Sequence, residues 1–515
     1  MASPLQQNQR GKGTQHLMLF LFKFSFLASC CVATSGESLT CSANHDHDGF
    51  EKDPALKEMT FDIGYGEETF EAYVQPDVSS FYHEEVGSIK EVKPHFVALA
   101  GKFVNMSPHP LRLYWDPDNG GTSAIIAYSN PFEATGTATF PFHKFYFTTM
   151  EDNSEILARF TVTPPQSIYY YDPIEVPDDP VQTQRNLDAL SKDELSKYEV
   201  LKRTKLFAEK YFEFTGRQYL ANYPRKQPSH FMWRADYFGQ QHWATTKETH
   251  FVELPSVEEL QPIVSSPKER VLKEDQPRIL QQYRTKDQNI LNMTLKVLSC
   301  APRAFEIPNF LSTIEVNHIL KLSTGMDLSL STTSGSDKML EDEADTSGTR
   351  TSFNTWVYRQ KSPIVDAIYR RAADLLQIDE ALLRHRDNDE YPELRSKTSI
   401  SEALQLVHYE DGQEYTAHHD FGYPKVDENQ SARYLTLLLY LNEGMKGGET
   451  SFPRWVNGKT GKGLHVVPEV GKAVLFYSQL PDGNMDDLSQ HAALPVTDGE
   501  KWLMNLWIWD PIYGK

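Results

Sequence analysis

Cysteine is scarce: the 515 residues contain four. Cys30 and Cys31 fall inside an apolar N-terminal segment, which leaves Cys41 and Cys300. That set cannot make a disulfide framework; it allows one bridge or two free thiols. Positive charge is also in deficit. Fifty-one Lys and Arg against 71 Asp and Glu give a net charge of −20 at pH 7, which would repel a polyanion and argues against non-specific nucleic-acid binding. Long apolar runs are missing beyond the N-terminus, so no later stretch is long enough to cross a bilayer.

The length predicts roughly three or four domains. Leu17 to Ala33 is mostly apolar, interrupted by Lys23 and followed by small residues. Residues 1–36 therefore read as a secretory signal, cleaved or retained as a membrane anchor. Residues 37–60 read as an acidic linker, and Asn44-His-Asp-His-Asp-Gly49 within it as solvated charge rather than a metal site. Residues 61–163 carry dense aromatics, turn residues and short alternating runs such as Leu111-Arg-Leu-Tyr-Trp115, which predict a small β-sandwich.

Residues 164–300 read as a linker followed by a helical and irregular region. A Ser-x-x-Glu capping box at Ser191 and Glu194 opens a helix over about 192–214, with Gly216 as its stop. His230, His242 and His250 show no carboxylate in register and read as structural. From about 301 to 515 lies a further domain. A second capping box, Ser312 to Glu315, opens a helix that Gly325 would close. Met326 to Gly348 is polar and acidic and reads as a loop. Ser362 and Pro363 start another helix, with Ile364, Ile368, Ala372, Leu375 and Leu376 as its buried stripe. Asn105, Asn292 and Asn429 head glycosylation sequons.

The chemistry is concentrated between Leu404 and Trp509. His418 and Asp420 are two apart, so an extended strand would point both to one face. An imidazole and a carboxylate so placed need one more histidine to make a facial metal triad with open positions, the arrangement of non-haem Fe(II) oxygenases. Around them come short apolar runs bounded by turns: Tyr434 to Leu441, Ala473 to Tyr477 and Trp502 to Trp509, with a Gly447-Gly-Glu-Thr450 turn between. These predict a sandwich or jelly roll. The fold class expected for the whole chain is mostly β with added helices.

Tyr409-Glu-Asp-Gly-Gln-Glu-Tyr-Thr-Ala-His-His-Asp-Phe421, Gly447-Gly-Glu-Thr-Ser-Phe-Pro453, Gln490-His-Ala-Ala-Leu-Pro-Val496 and Lys501-Trp-Leu-Met-Asn-Leu-Trp507 resemble the prolyl 4-hydroxylase α-subunit catalytic domain. The likeness covers about the last 210 residues, from Pro302. It implies a double-stranded β-helix and Fe(2+) held by His418, Asp420 and His491. It also implies Lys501 on the distal carboxylate of 2-oxoglutarate and Tyr409 hydrogen-bonded to the same co-substrate. Trp507 would face the 2-oxoglutarate pocket and Arg433 the substrate. Lys501 makes sense on its own terms as well, because a buried carboxylate is costly unless a cation meets it. The activity so implied is 4-hydroxylation of peptidyl proline in secretory-pathway proteins, in the endoplasmic reticulum or Golgi lumen. It would use O2, with succinate and CO2 as co-products and L-ascorbate to rescue the iron.

Phe103-Val-Asn-Met-Ser-Pro-His-Pro-Leu-Arg-Leu-Tyr-Trp115, Gly136-Thr-Ala-Thr-Phe140 and His143-Lys-Phe-Tyr146 are similar, over about 50 residues, to the von Hippel–Lindau β domain. That family holds a hydroxyproline side chain with a Trp, a Ser and a His; the matching positions are Trp115, Thr139 and His143, with Thr in place of Ser. Two alternatives to a proline hydroxylase stay open here. One is the same oxygenase chemistry on another side chain. The other is a hydroxyproline-binding module fused to a degenerate oxygenase scaffold.

Overall fold

The computed structural model describes residues 56–62, 67–73, 97–117, 120–152, 154–221, 227–251, 290–331, 350–387, 390–394, 396–421, 432–456 and 463–510. The N-terminal apolar segment, the 44–49 cluster, Cys30, Cys31, Cys41, Asn429 and most of the 326–348 stretch lie outside them. Cys300 is free and buried. No helix among the described residues is long and apolar enough to cross a membrane.

Strands β1 (Leu56–Asp62) and β2 (Glu67–Tyr73) form an antiparallel pair. The sandwich follows with β3 (Leu99–Asn105), β4 (Leu111–Asp116), β5 (Ala124–Ser129), β6 (Ala134–Thr139), β7 (Lys144–Thr149), β8 (Ile156–Thr161) and β9 (Ile168–Tyr171). One sheet has the order β6-β3-β9 and the other β5-β4-β7-β8. Phe103, Leu113, Phe145 and Phe147 fill the space between them. Strand β9 lies in the stretch expected to be a linker; its pairing with β3 is parallel, and parallel pairing is not visible as a hairpin pattern in sequence.

Helix α1 (Pro180–Asp188) and helix α2 (Lys192–Thr215) come next. The capping box at Ser191 and Glu194 forms, and Gly216 ends α2 at φ 70°, as expected. Buried Tyr198, Leu201, Phe207 and Tyr211 of α2 pack with Ala100 and Val104 of the sandwich. Phe421, Ala432 and Met485 belong to the same cluster, and Phe421 directly follows Asp420 in sequence.

Strand β10 (Gln241–Lys247), strand β11 (Ile290–Cys300) and strand β12 (Arg303–Ile307) enter the major sheet. That sheet therefore begins before residue 301, because β11 pairs on both edges, with β10 and with β12. Helix α3 (Thr313–Ser323) has the expected Ser312 and Glu315 capping box, but Thr324 rather than Gly325 ends it, in right-handed conformation. After strand β13 (Ser329–Leu330) and strand β14 (Phe353–Val357) comes helix α4 (Pro363–Leu376). Its buried face includes Ile368, Ala372, Leu375 and Leu376 as expected, with Val365 and Tyr369 where Ile364 had been placed. Arg371 of α4 makes two 2.8 Å bonds to Glu315, so the carboxylate that caps α3 also ties the helices together.

The rest of the barrel is β15 (Leu404–Tyr409), β16 (Tyr415–His418), β17 (Arg433–Tyr440), β18 (Lys446–Gly447), β19 (Thr450–Val456), β20 (Gly463–Val466), β21 (Ala473–Tyr477), β22 (His491–Ala493), β23 (Val496–Asp498) and β24 (Lys501–Trp509). The major sheet runs β10-β11-β12-β21-β17-β24-β15-β14-β13, and a minor sheet β16-β22-β19-β20 faces it. This is the expected double-stranded β-helix. Gly447 makes the turn at φ +72°, where a Cβ would sit 2.2 Å from the Pro495 carbonyl oxygen.

Strand alternation decides what reaches the interior. On β17, Leu435, Leu437 and Leu439 face the helices, while Leu438 and Tyr440 face the minor sheet. On β24, Met504, Leu506 and Ile508 face the helices. Lys501, Leu503, Asn505 and Trp507 occupy the opposite, inward register.

Candidate metal and co-substrate site

His418 and His491 are register partners across β16 and β22, and their ring centroids are 4.4 Å apart. Asp420 joins them: its Oδ1 is 3.6 Å from His418 Nε2 and its Oδ2 3.6 Å from His491 Nε2. One ligand atom from each of the three lies within 4.8 Å of the others. The reason differs from the one read in sequence. Strand β16 ends at His418, so Asp420 is not carried on the same face of a strand. Instead, His419 turns away and bonds the Asp487 carbonyl at 2.9 Å. Asp420 is drawn inward by Thr436 Oγ1 at 2.6 Å and Trp507 Nε1 at 3.0 Å.

Both imidazoles are oriented for a cation. Nδ1 of His418 meets the Thr416 carbonyl at 2.8 Å and Nδ1 of His491 the Ser489 carbonyl at 3.0 Å. Donation there leaves each Nε2 with its lone pair toward Asp420, the tautomer a metal requires. Burial alone would raise the Asp420 carboxyl, but the two histidines and Arg433 outweigh it and hold it well below the usual range. Burial pushes His491 down to about 4 against the pull of Asp420. A neutral imidazole at His491 and an ionised carboxylate at Asp420 are protonation states that bind a divalent ion.

Lys501 is fully buried, and its Nζ has no hydrogen-bond partner among the described residues. It stands 5.3 Å from the ring centre of Tyr409, its register partner, and 5.8 Å from that of Tyr440. Burial lowers it to about 7, with Glu449 opposing. A buried cation with no bonded anion is costly, and a dicarboxylate held at the metal would supply one. The residues present therefore fit both iron and 2-oxoglutarate.

Trp507 and Arg433 both line the cavity and make further contacts. The Trp507 indole is committed to the Asp420 carboxylate. Arg433 makes bonds of 2.7 and 3.1 Å to Glu402 and one of 3.2 Å to the Asp420 carbonyl, and stacks 4.1 Å over Trp507. Thr436, Arg350, Asp487 and Gln490 were not singled out in sequence. Arg350 lies 4.6 Å over Tyr415, which stacks at 3.5 Å on His418. Gln490 is fully buried with neither amide atom bonded. Only the inward register of β17 would have flagged Thr436; the others carry no local signal.

The histidines read as structural stay apart from the site. His230 meets the Trp509 carbonyl and His242 the Arg234 carbonyl. His250 does have a carboxylate partner, Asp374, supplied from α4. In the sandwich, Trp115, Thr139 and His143 are brought together. Thr139 Oγ1 is 3.3 Å from His143 Nδ1, and the His143 and Trp115 rings are 5.7 Å apart.

A mainly buried two-histidine, one-carboxylate site inside a double-stranded β-helix defines a non-haem iron oxygenase. Residues 404–509 match the family model of the 2OG-Fe(II) oxygenase superfamily. The chain is 32% identical over 228 residues to probable prolyl 4-hydroxylase 3 of Arabidopsis thaliana, spanning 41% of this chain and 71% of that protein. It is 33% identical over 231 residues to probable prolyl 4-hydroxylase 6 of the same plant, spanning 42% and 73%. A viral collagen prolyl hydroxylase from Paramecium Bursaria Chlorella virus-1 is 24% identical over 40% of this chain and 95% of its own, with a TM-score of 0.28. The chain belongs to the prolyl 4-hydroxylase family of Fe(2+)- and 2-oxoglutarate-dependent dioxygenases.

Proposed function

We propose that this protein 4-hydroxylates proline in polypeptides of the secretory pathway. The observation that carries the reading is the buried Lys501 ammonium, without a hydrogen-bond partner among the described residues, beside Tyr409, which lines the same cavity as His418, Asp420 and His491. Iron and 2-oxoglutarate together supply O2 activation: one oxygen atom enters the prolyl C4–H bond, the other enters succinate, and CO2 leaves. The protein's own residues position and shield. His418, Asp420 and His491 hold Fe(2+). Lys501 and Tyr409 fix the distal carboxylate of the co-substrate. Trp507 and Thr436 hold the Asp420 carboxylate in place, and Arg433 stiffens that wall while facing the substrate side. L-Ascorbate is the reductant for iron oxidised without substrate. The apolar segment before residue 37 supports entry into the endoplasmic reticulum or Golgi.

The test is mass spectrometry of proline-rich peptides incubated with enzyme, Fe(2+), 2-oxoglutarate and O2. Addition of one oxygen to proline with stoichiometric succinate is expected. His418→Ala removes both products while circular dichroism and the melting curve are retained; undiminished turnover in that variant refutes the assignment.

A second reading concerns the sandwich. The convergence of Trp115, Thr139 and His143 supports hydroxyproline binding there, although Thr139 is fully buried and already spends its hydroxyl on His143. Calorimetric titration with matched proline and hydroxyproline peptides decides it, since equal affinities remove the reader role.

A further inference from the structure

The oxygenase barrel does not enclose the catalytic cavity by itself. The triad, Arg350 and Trp507 line one part of a cavity of about 990 Å³, and Ala98, Ile125, Ile126, Thr137, Ala138 and Phe140 of the sandwich line another. We infer that strands β5 and β6 of the sandwich, with Phe140 at the end of β6, are part of the substrate-binding surface and hold residues flanking the reacting proline of an extended polypeptide. This rests on the prolyl hydroxylase reading and assigns that reaction a specificity surface outside the barrel.

Four features support it. The volume lies at the upper end of small-ligand sites, leaving space beyond the co-substrate and one prolyl ring. Strand β6 is the end strand of its sheet, so one row of its backbone N–H and C=O groups is outside the ladder, where extended peptides bind. Its sequence, Ala134-Thr-Gly-Thr-Ala-Thr139, has no side chain larger than threonine, and five of the six residues are partly exposed. Phe140, 39% exposed, follows. Small residues ending in an aromatic ring suit an extended proline-rich segment, whose apolar rings pack on flat surfaces and whose prolines offer no N–H. Finally, β6 lies against β16, the strand that carries His418. A chain that leaves the triad along β16 therefore passes over β6.

The sandwich is also anchored. The backbone N–H of Ala100 on β3 bonds Asp487, and Lys102 Nζ reaches the Leu220 and Ala221 carbonyls at 2.9 and 3.0 Å. A wall fixed in this way can select substrates by shape without paying for its own ordering at each binding event.

The test is a length series on the full chain with Fe(2+) and 2-oxoglutarate. A proline-rich peptide of about 15 residues is compared with a blocked tripeptide containing the same central proline, in wild type, Ala138→Arg and Phe140→Ala. Phe140→Ala is a surface truncation and guards against a folding defect in the first variant. Both variants are expected to raise KM for the long peptide at least about fivefold, to change it less than about twofold for the tripeptide, and to keep kcat. Long-peptide KM within about twofold of wild type in both variants overturns the inference and leaves prolyl hydroxylation standing, as does equal loss on both peptides. A wild type that hydroxylates neither peptide overturns both.

Discussion

The Asp487 carboxylate accepts a hydrogen bond from the backbone N–H of Ala100 at 2.8 Å, across 387 positions of sequence. Asp487 lies four residues before His491. It also pairs with Arg454 and with His419, which separates the other two candidate metal ligands. Its burial would raise the carboxyl, but Arg454 and His419 outweigh that and hold it far below the usual range. This side chain thus joins the sandwich to the segment between His418 and Asp420 and to the loop that leads to His491. Close by, Asp482 accepts from the Tyr73 N–H and the Tyr211 hydroxyl, and Asn484 from the Leu220 and Ala221 N–H groups. The loop leading to His491 is held from outside the barrel.

Asp487→Asn should therefore weaken metal binding without unfolding the protein. Groups that orient metal ligands typically contribute about 10–100-fold in affinity, and a loss of that size is expected. Titration with Fe(2+) or a spectroscopically visible divalent substitute under anaerobic conditions reads it directly. Wild-type affinity in the variant would show that the loop is held by its other contacts.

Trp507→Phe removes the donor to Asp420 Oδ2 but leaves Thr436 on the same oxygen. The expected result is a smaller loss, about tenfold in metal affinity, with stability lowered by about 1 kcal/mol. Its KM for 2-oxoglutarate at saturating metal should hardly move. A selective rise in that KM would return Trp507 to the co-substrate pocket.

Lys501 is a site where function is opposed to stability. Its folded pKa of about 7 lies below its unfolded value. Below pH 7 the cost of burying the ammonium is fully present. Between 7 and the unfolded pKa the unfolded chain binds the extra proton, so stability rises with pH. Lys501→Met removes the charge and keeps the stem. It should raise the melting temperature by about 2–5 °C near neutral pH while abolishing measurable 2-oxoglutarate binding. A lower melting temperature would mean that the cation is paired.

The same lysine predicts how co-substrate affinity varies with pH. In the proposed site the protonated form is the one that binds the distal carboxylate. Above pH 7 the free enzyme must take up a proton on binding, so Kd for 2-oxoglutarate should rise by up to about tenfold per pH unit. Lys501→Arg keeps a charge that does not titrate, and its binding should be flatter across the same range. Isothermal titration at pH 6.5, 7.5 and 8.5 checks both, since a parallel slope in the variant assigns the titration elsewhere.

Much of the architecture was legible locally. Apolar runs bounded by turn residues marked β17, β21 and β24 within a residue, and both Ser-x-x-Glu boxes marked helix starts, because these signals need only neighbouring residues. His418 and Asp420 stood out by their spacing, whereas His491 and Lys501 came from the resemblance to the prolyl 4-hydroxylase catalytic domain. Tertiary structure decided the rest. Parallel pairing put β9 into a sheet, and β10 and β11 joined the barrel from a stretch that read as irregular. Asp420 faces the histidines because Trp507 and Thr436, from two other strands, pull it there, not because of its spacing from His418. The Ala100 partner of Asp487 and the sandwich wall of the catalytic cavity come from residues hundreds of positions away. Hydrogen bonds and packing across that distance depend on how whole elements dock, and no window of sequence encodes the docking.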